Sequence, residues 1–286
     1  MNKMILKSAT ILTAIAVVAP IVASADTTLY NSNAGVNLQA GNAITNPVDP
    51  ENPTNPVTPV NPEGPTNPVS PGTAGPLSID FASNFEFGTQ NISSAAQVYY
   101  AHPQLTADSS GNIDGTRELY TQVTDNRGTA AGWTLSVSSD SQFHLTTVDP
   151  SNTPENGAPK GDYLTGAQLE FTGGKTETAG TAASQVTNSG TISTAATNLL
   201  TAEAGNNEGL GTNVFDFGTD NNGAGDYDST GILTGNAPFS LAYAPTMQTY
   251  VATKSPVTLS IPANTVQLAG RYTTNLIWSL SETPEN

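Results

Sequence analysis

Two Trp-x-Leu triplets, Trp133-Thr134-Leu135 and Trp278-Ser279-Leu280, are the residues in this chain best suited to binding chemistry. An indole offers a large flat apolar face with one N–H donor, which suits stacking on sugar rings. Each is also what a core tryptophan looks like, because Leu135 and Leu280 share its strand face and a leucine there belongs indoors. At the rim of a core one ring can do both. Weaker candidates stand in the acidic, glycine-rich stretch 216–231, where Asp216, Asp220, Asp226 and Asp228 accompany Asn221 and Asn222. Oxygen ligands at that density suit calcium. Asp226-x-Asp228-x-Thr230-Gly231 begins like a calcium loop, but its twelfth position is Ala237 and the bidentate glutamate is missing. An ordinary solvated loop fits better, and no cofactor is expected.

Catalytic chemistry finds little to work with. The histidines are His102, ahead of a proline in Tyr-Tyr-Ala-His-Pro, and His144 in Gln-Phe-His-Leu. No G-x-S-x-G, H-E-x-x-H or glycine-rich phosphate loop is present. The absence of cysteine removes thiol catalysis, Cys-based zinc sites and iron–sulfur clusters together. A glycosidase-like carboxylate pair needs only to meet in space, yet Asp and Glu gather here in loops, as on any acidic surface. The sequence reads as non-enzymatic.

The elements that must hold the triplets are strands. Trp133, Leu135 and Val137 alternate with Thr134, Ser136 and Ser138; Val257, Leu259 and Ile261 alternate with Thr258 and Ser260. Tyr272, Leu276, Trp278 and Leu280 fall on one side of a last strand. Turn chemistry punctuates the runs at Asp125-Asn126-Arg127-Gly128, Gly173-Gly174 and Asn221-Asn222-Gly223. Only Leu199-Leu200, within 194–204, suggests a short helix. Two echoes appear: Phe85-Glu86-Phe87-Gly88-Thr89 with Phe215-Asp216-Phe217-Gly218-Thr219, and Trp133-Thr134-Leu135-Ser136 with Trp278-Ser279-Leu280-Ser281. Half-buried strands of this kind predict an all-β domain over 77–286, an antiparallel β-sandwich of Ig-like or Greek-key type.

Ahead of it the chain reads as a series of export features. Lys3 and Lys7 precede an apolar run at 11–22, and Ala23-Ser24-Ala25 supplies a small-residue cleavage site, so 1–25 reads as a signal peptide. The run is short of the roughly 20 residues that cross a bilayer, so no direct membrane insertion is expected. Residues 26–45 read as a polar, disordered leader. Residues 46–76 hold Pro47, Pro50, Pro53, Pro56, Pro59, Pro62, Pro65, Pro68 and Pro71 at a strict spacing of three. Polyproline II has three residues per turn, so this predicts an extended stalk spanning on the order of 75 Å. Beyond residue 25 stand six basic residues against 24 acidic ones, a net charge of −18. Such a surface repels nucleic acid and anionic headgroups. With no cysteine, an exported chain must draw its stability from core size and topology.

The contexts of the triplets carry a resemblance. Val123-Thr124-Asp125-Asn126-Arg127-Gly128 runs ahead of Gly132-Trp133-Thr134-Leu135-Ser136-Val137, and Gly270-Arg271-Tyr272 ahead of Leu276-Ile277-Trp278-Ser279-Leu280. Leu77-Ser78-Ile79-Asp80-Phe81 and Phe87-Gly88 open the domain. Together these resemble the WxL domain of surface proteins of low-GC Gram-positive bacteria, over 77–286. The resemblance implies non-covalent attachment to the cell wall through peptidoglycan, with Trp133, Leu135, Trp278 and Leu280 as the attachment motifs. It also implies surface complexes with membrane-anchored WxL-interacting proteins and other WxL proteins. A secreted adhesin that grips host matrix or polysaccharide is the alternative. Many members carry a functional module ahead of the domain, where this chain has only a leader and a stalk.

Overall fold

The computed structural model describes residues 30, 32–61, 69–111, 113–149, 151, 153–217 and 255–282. The expected signal peptide at 1–25 lies outside them. The chain divides into residues 1–38 and 39–286; within the first unit, 32–38 carry no regular secondary structure. The second unit is all-β with antiparallel pairing throughout, and a single 3-10 turn at Pro154–Asn156 is the sole helical element among the described residues.

Three four-stranded sheets face one core. A tryptophan sheet runs Gln185–Val186, Thr197–Ala202, Trp133–Ser139, Leu276–Ser281. A phenylalanine sheet runs Gly174–Thr178, Gly211–Phe217, Tyr120–Asp125, Leu77–Ala82. A third runs Gly190–Ile192, Gln168–Phe171, Val257–Ile261, Gln97–Tyr100. The expected alternation holds where one face is buried. Trp133, Leu135 and Val137 are fully buried, and Val257, Leu259 and Ile261 turn inward while Thr258 and Ser260 stay half-exposed. Phe171, Phe215 and Phe217 meet edge to face, with centroids 4.9 to 5.9 Å apart, and lock the third sheet to the phenylalanine sheet. The antiparallel all-β class is as the alternation predicts, but three sheets surround the core where two facing ones were expected.

Three local expectations are corrected. Thr197–Ala202 is a strand, not a helix: a bulge at Leu199 breaks the period of two, so that Leu199 and Leu200 both point inward. The last strand is split, with Tyr272–Thr273 pairing to His144–Leu145 and Leu276–Ser281 pairing to Trp133–Ser139. Phe85 and Phe87 lie outside regular strands, whereas their echo Phe215 and Phe217 sits within one.

The proline-rich segment departs most from expectation. Residues 46–61 fold onto the domain and do not form a free stalk. Val48–Asp49 pairs with Asn52–Pro56, and Pro59–Val60 pairs with Gln104–Ala107. Prolines have no N–H to give, yet their carbonyls and those between them still accept. Val57 N–H donates to the Pro47 carbonyl at 3.0 Å, Ala107 N–H to Thr58 at 2.9 Å, and Gln104 Nε2 to Val60 at 2.9 Å. The valines between the prolines supply apolar surface. Val48, Phe81, Tyr120 and Val214 form a second core on the outer face of the phenylalanine sheet, with Val69 packed against it. A bulge at Asp80 turns Phe81 to that face, where its ring centroid lies 4.7 Å from Tyr120. Gln122 clamps the segment by accepting Val48 N–H at 2.8 Å and donating to the Asn46 carbonyl at 3.1 Å. Residues 62–68 lie outside those described.

Candidate functional site

The two Trp-x-Leu triplets sit on neighbouring strands. Leu135 and Leu280 are direct cross-strand partners, and Trp278 stands opposite Val137. Directly opposed residues share a sheet face, so the four motif side chains belong to one surface, which faces the core.

Their fates diverge along it. Trp133 lies on an inner strand and is wholly buried, with its indole N–H donating to the Gly209 carbonyl at 3.2 Å. Gly209 has φ +67°, and a Cβ there would stand 2.5 Å from the indole nitrogen, so the contact requires glycine. Trp133 is held from the other end by the turn before it. Arg127 grips the buried Asp125 through Nε at 3.0 Å and Nη2 at 2.8 Å, and Nη2 also donates to the Gly132 carbonyl at 2.8 Å. The Asp-Asn-Arg-Gly context is thus a clamp that fixes the entry of the tryptophan strand.

Trp278 lies on an edge strand of the same sheet and is half-buried. Its ring packs edge-on against Phe217 at 6.1 Å and Phe85 at 6.4 Å. Its other side opens on a groove of about 1310 Å³. Phe85, Phe87, Phe143, Tyr272 and Leu276 join Trp278 along the wall. Phe87 and Phe143 are themselves edge to face at 6.4 Å.

The rim is polar and held in place. Arg271 pairs with Glu86 at 3.3 Å across the groove mouth. Thr274 and Asn275 line it and are fastened to Asp140, which accepts from Asn275 Nδ2 at 2.6 Å, Thr274 Oγ1 at 3.1 Å and Ser141 Oγ at 2.9 Å. Burial pushes the Asp140 carboxyl up, but the hydrogen bonds from Asn275, Ser141 and Thr274 outweigh it and hold the pKa below the usual range. An aromatic wall with a few fixed polar groups is the usual form of a site for sugars and other partly apolar ligands.

The remaining candidates separate. His102 lines the groove, and its backbone N–H donates to Glu86. His144 sits in the strand paired with Tyr272–Thr273, its ring 5.5 Å from Tyr163. Asp216 is buried on the outer face of the phenylalanine sheet and faces Lys175, while Asp220, Asp226 and Asp228 lie outside the described residues. Among the described residues no three His, Asp or Glu side chains are grouped to hold a metal. Sequence reasoning missed Phe85 and Phe87 as site residues, although their echo with Phe215 and Phe217 was a signal: Phe85 meets Phe217 at 5.1 Å. It also missed the Arg271–Glu86 pair, whose partners stand 185 residues apart.

The fold is an all-β domain with an aromatic-walled groove on its surface. A family model described as WxL domain surface cell wall-binding matches residues 25–284. The chain belongs to the WxL family, and the protein is a cell-wall-binding protein of the cell surface. No curated protein matches it, nor does any solved structure.

Proposed function

We propose that the protein attaches non-covalently to peptidoglycan by laying a wall glycan against Trp278 and the phenylalanines beside it, with no catalytic step. The unequal burial of the two triplets carries this reading. Trp133 and Leu135 are sealed in the core and build the fold, whereas Trp278 is half-buried and lines an open groove with Arg271, Glu86 and Asn275. In this reading the tryptophan and phenylalanine sheets are the two layers of an elaborated sandwich, with the third sheet closing one side. Residues 1–25 act as the export signal; the family match begins at Ala25, which ends the expected cleavage site. Membrane-anchored WxL-interacting proteins and other WxL proteins are its partners in surface complexes. No metal is required.

The test is co-sedimentation of the full mature chain with purified peptidoglycan sacculi. Trp278→Ala should lose at least tenfold in affinity while keeping the wild-type circular dichroism spectrum, and binding should survive EDTA. A folded Trp278→Ala protein that binds sacculi like wild type overturns the groove assignment. Wild-type protein that ignores sacculi but binds host-matrix protein or free polysaccharide would make it an adhesin instead.

A further inference from the structure

The outer face of the phenylalanine sheet buries a pair of groups that wall binding does not use. Lys175 and Asp216 are direct cross-strand partners on Gly174–Thr178 and Gly211–Phe217. Phe215 and Phe217 fill the core, so the alternation sends Asp216 to the opposite face, where Asn52–Pro56 lies against both strands. The Asp216 side chain is 0% exposed, and neither carboxyl oxygen accepts a hydrogen bond among the described residues. Lys175 Nζ stands 3.5 Å from Oδ2, an ion-pair separation too long for a good hydrogen bond. Glu177 at 3.7 Å and Glu51 at 3.9 Å also pair with that nitrogen, but both are partly in water. Asp216 is the nearest of the three and the one that is dry.

A buried carboxyl without hydrogen bonds is a costly arrangement that asks for an explanation. Burial first, and then the charge of Glu118, push the Asp216 pKa well up, so the group favours the neutral acid. Glu118 is itself 3% exposed and is one of the carboxylates whose field acts on Lys175. A lysine, a wholly buried carboxyl beside it and a second buried carboxyl, Glu118, whose field acts on both are the reactants and the proton carrier for amide formation. The chain has no cysteine with which to staple its strands any other way.

We propose that Lys175 Nζ and Asp216 Cγ are joined by an intramolecular isopeptide bond that ties these two strands together. Glu118 takes a proton from the Lys175 ammonium, and the freed amine attacks Cγ of the Asp216 acid. The tetrahedral intermediate expels the Asp216 hydroxyl as water, using the proton Glu118 returns, while the second N–H proton passes to Glu118 and on to solvent. One C–N bond forms, one C–O bond breaks, and one water and one proton leave. No oxidant or co-reactant is needed.

The experiment is intact mass spectrometry of the full mature chain after denaturation, followed by peptide mapping. Wild-type protein should be lighter than its sequence mass by one water, and one mapped species should join the peptides carrying Lys175 and Asp216. Lys175→Arg keeps the positive charge but cannot form the amide, and should return to its full sequence mass. Glu118→Gln should be recovered mostly unlinked. Wild-type protein at its full sequence mass, or a water loss that persists in Lys175→Arg or maps elsewhere, overturns the proposal; full linkage in Glu118→Gln removes the proton carrier from it.

Discussion

At the scale of single residues, the two tryptophans of the matching triplets differ in burial, Trp133 being sealed in the core and Trp278 half-buried. Trp133→Ala would remove a wholly buried ring and a hydrogen bond to Gly209. A loss of about 3–5 kcal/mol is expected, read from urea unfolding. Trp278→Ala should cost less than half as much, since its ring is half in solvent, and should show its effect on sacculi. Equal destabilisation by the two would contradict the burial difference. Asp80 gives a test in pH. Burial pushes its pKa up, against hydrogen bonds from Thr124, Ser78 and Gln122. A carboxyl raised in the folded state is protonated there before it is in the unfolded chain, so its contribution to stability grows as pH falls from neutral towards the unfolded value of about 3.9. The melting temperature should therefore climb on mild acidification, and Asp80→Asn should flatten the climb. Asp140, with its lowered pKa, acts in the opposite sense: its contribution is lost below the ordinary carboxylate range as it protonates. A wild-type profile that falls steadily from pH 7 to 5 would show that Asp80 does not control this window.

At the scale of elements, residues 46–61 of the proline-rich segment are a structural part of the domain. Val48 seals Tyr120, Phe81 and Val214, and Arg117 pairs with Asp49 at 3.0 Å. Deleting 46–61 would uncover this second core and the buried Asp216, at a cost of about 3 kcal/mol or more by the usual burial of two such side chains. A truncation starting at 77 should melt well below one starting at 39; identical melting would restore a free stalk. The Arg127 clamp belongs to the same scale. Arg127→Ala leaves Asp125 buried without its partner, and a loss of about 3 kcal/mol is expected, measured by denaturant unfolding.

At the scale of the whole molecule, charge sets the terms of encounter. The formal net charge is −16, and a wall bearing phosphate polymers is also anionic. Two like-charged surfaces repel over about a Debye length, so the proposed attachment calls for a largely uncharged surface, such as the aromatic wall of the groove. Acidification from pH 7 to about 4.5 begins to protonate the carboxylates and should strengthen co-sedimentation with whole walls. Added salt at neutral pH should act the same way, by screening. Binding that collapses in moderate salt would mean that opposite-charge contacts, Arg271 among them, carry the attachment. Sacculi stripped of phosphate polymers should show little pH dependence.

The sequence by itself determined the class of the fold, the strand faces around Trp133 and Val257, and the family, because each is written in local alternation or in short motifs. It did not determine the bulge at Leu199, where one extra residue breaks a period of two in favour of core burial. Nor did it separate Trp133 from Trp278: their triplets match, and only sheet order makes one strand inner and the other an edge. The spacing of three in the prolines predicted a continuous extended chain, whereas residues 48–56 double back as an antiparallel hairpin. Whether that chain reaches into water or lies on a sheet depends on Gln104, Gln122 and Tyr120, tens of residues away, which provide its hydrogen-bond partners and its apolar cover. The groove has the same origin, since Glu86 and Arg271 or Phe85 and Trp278 become neighbours only when distant strands close around one core.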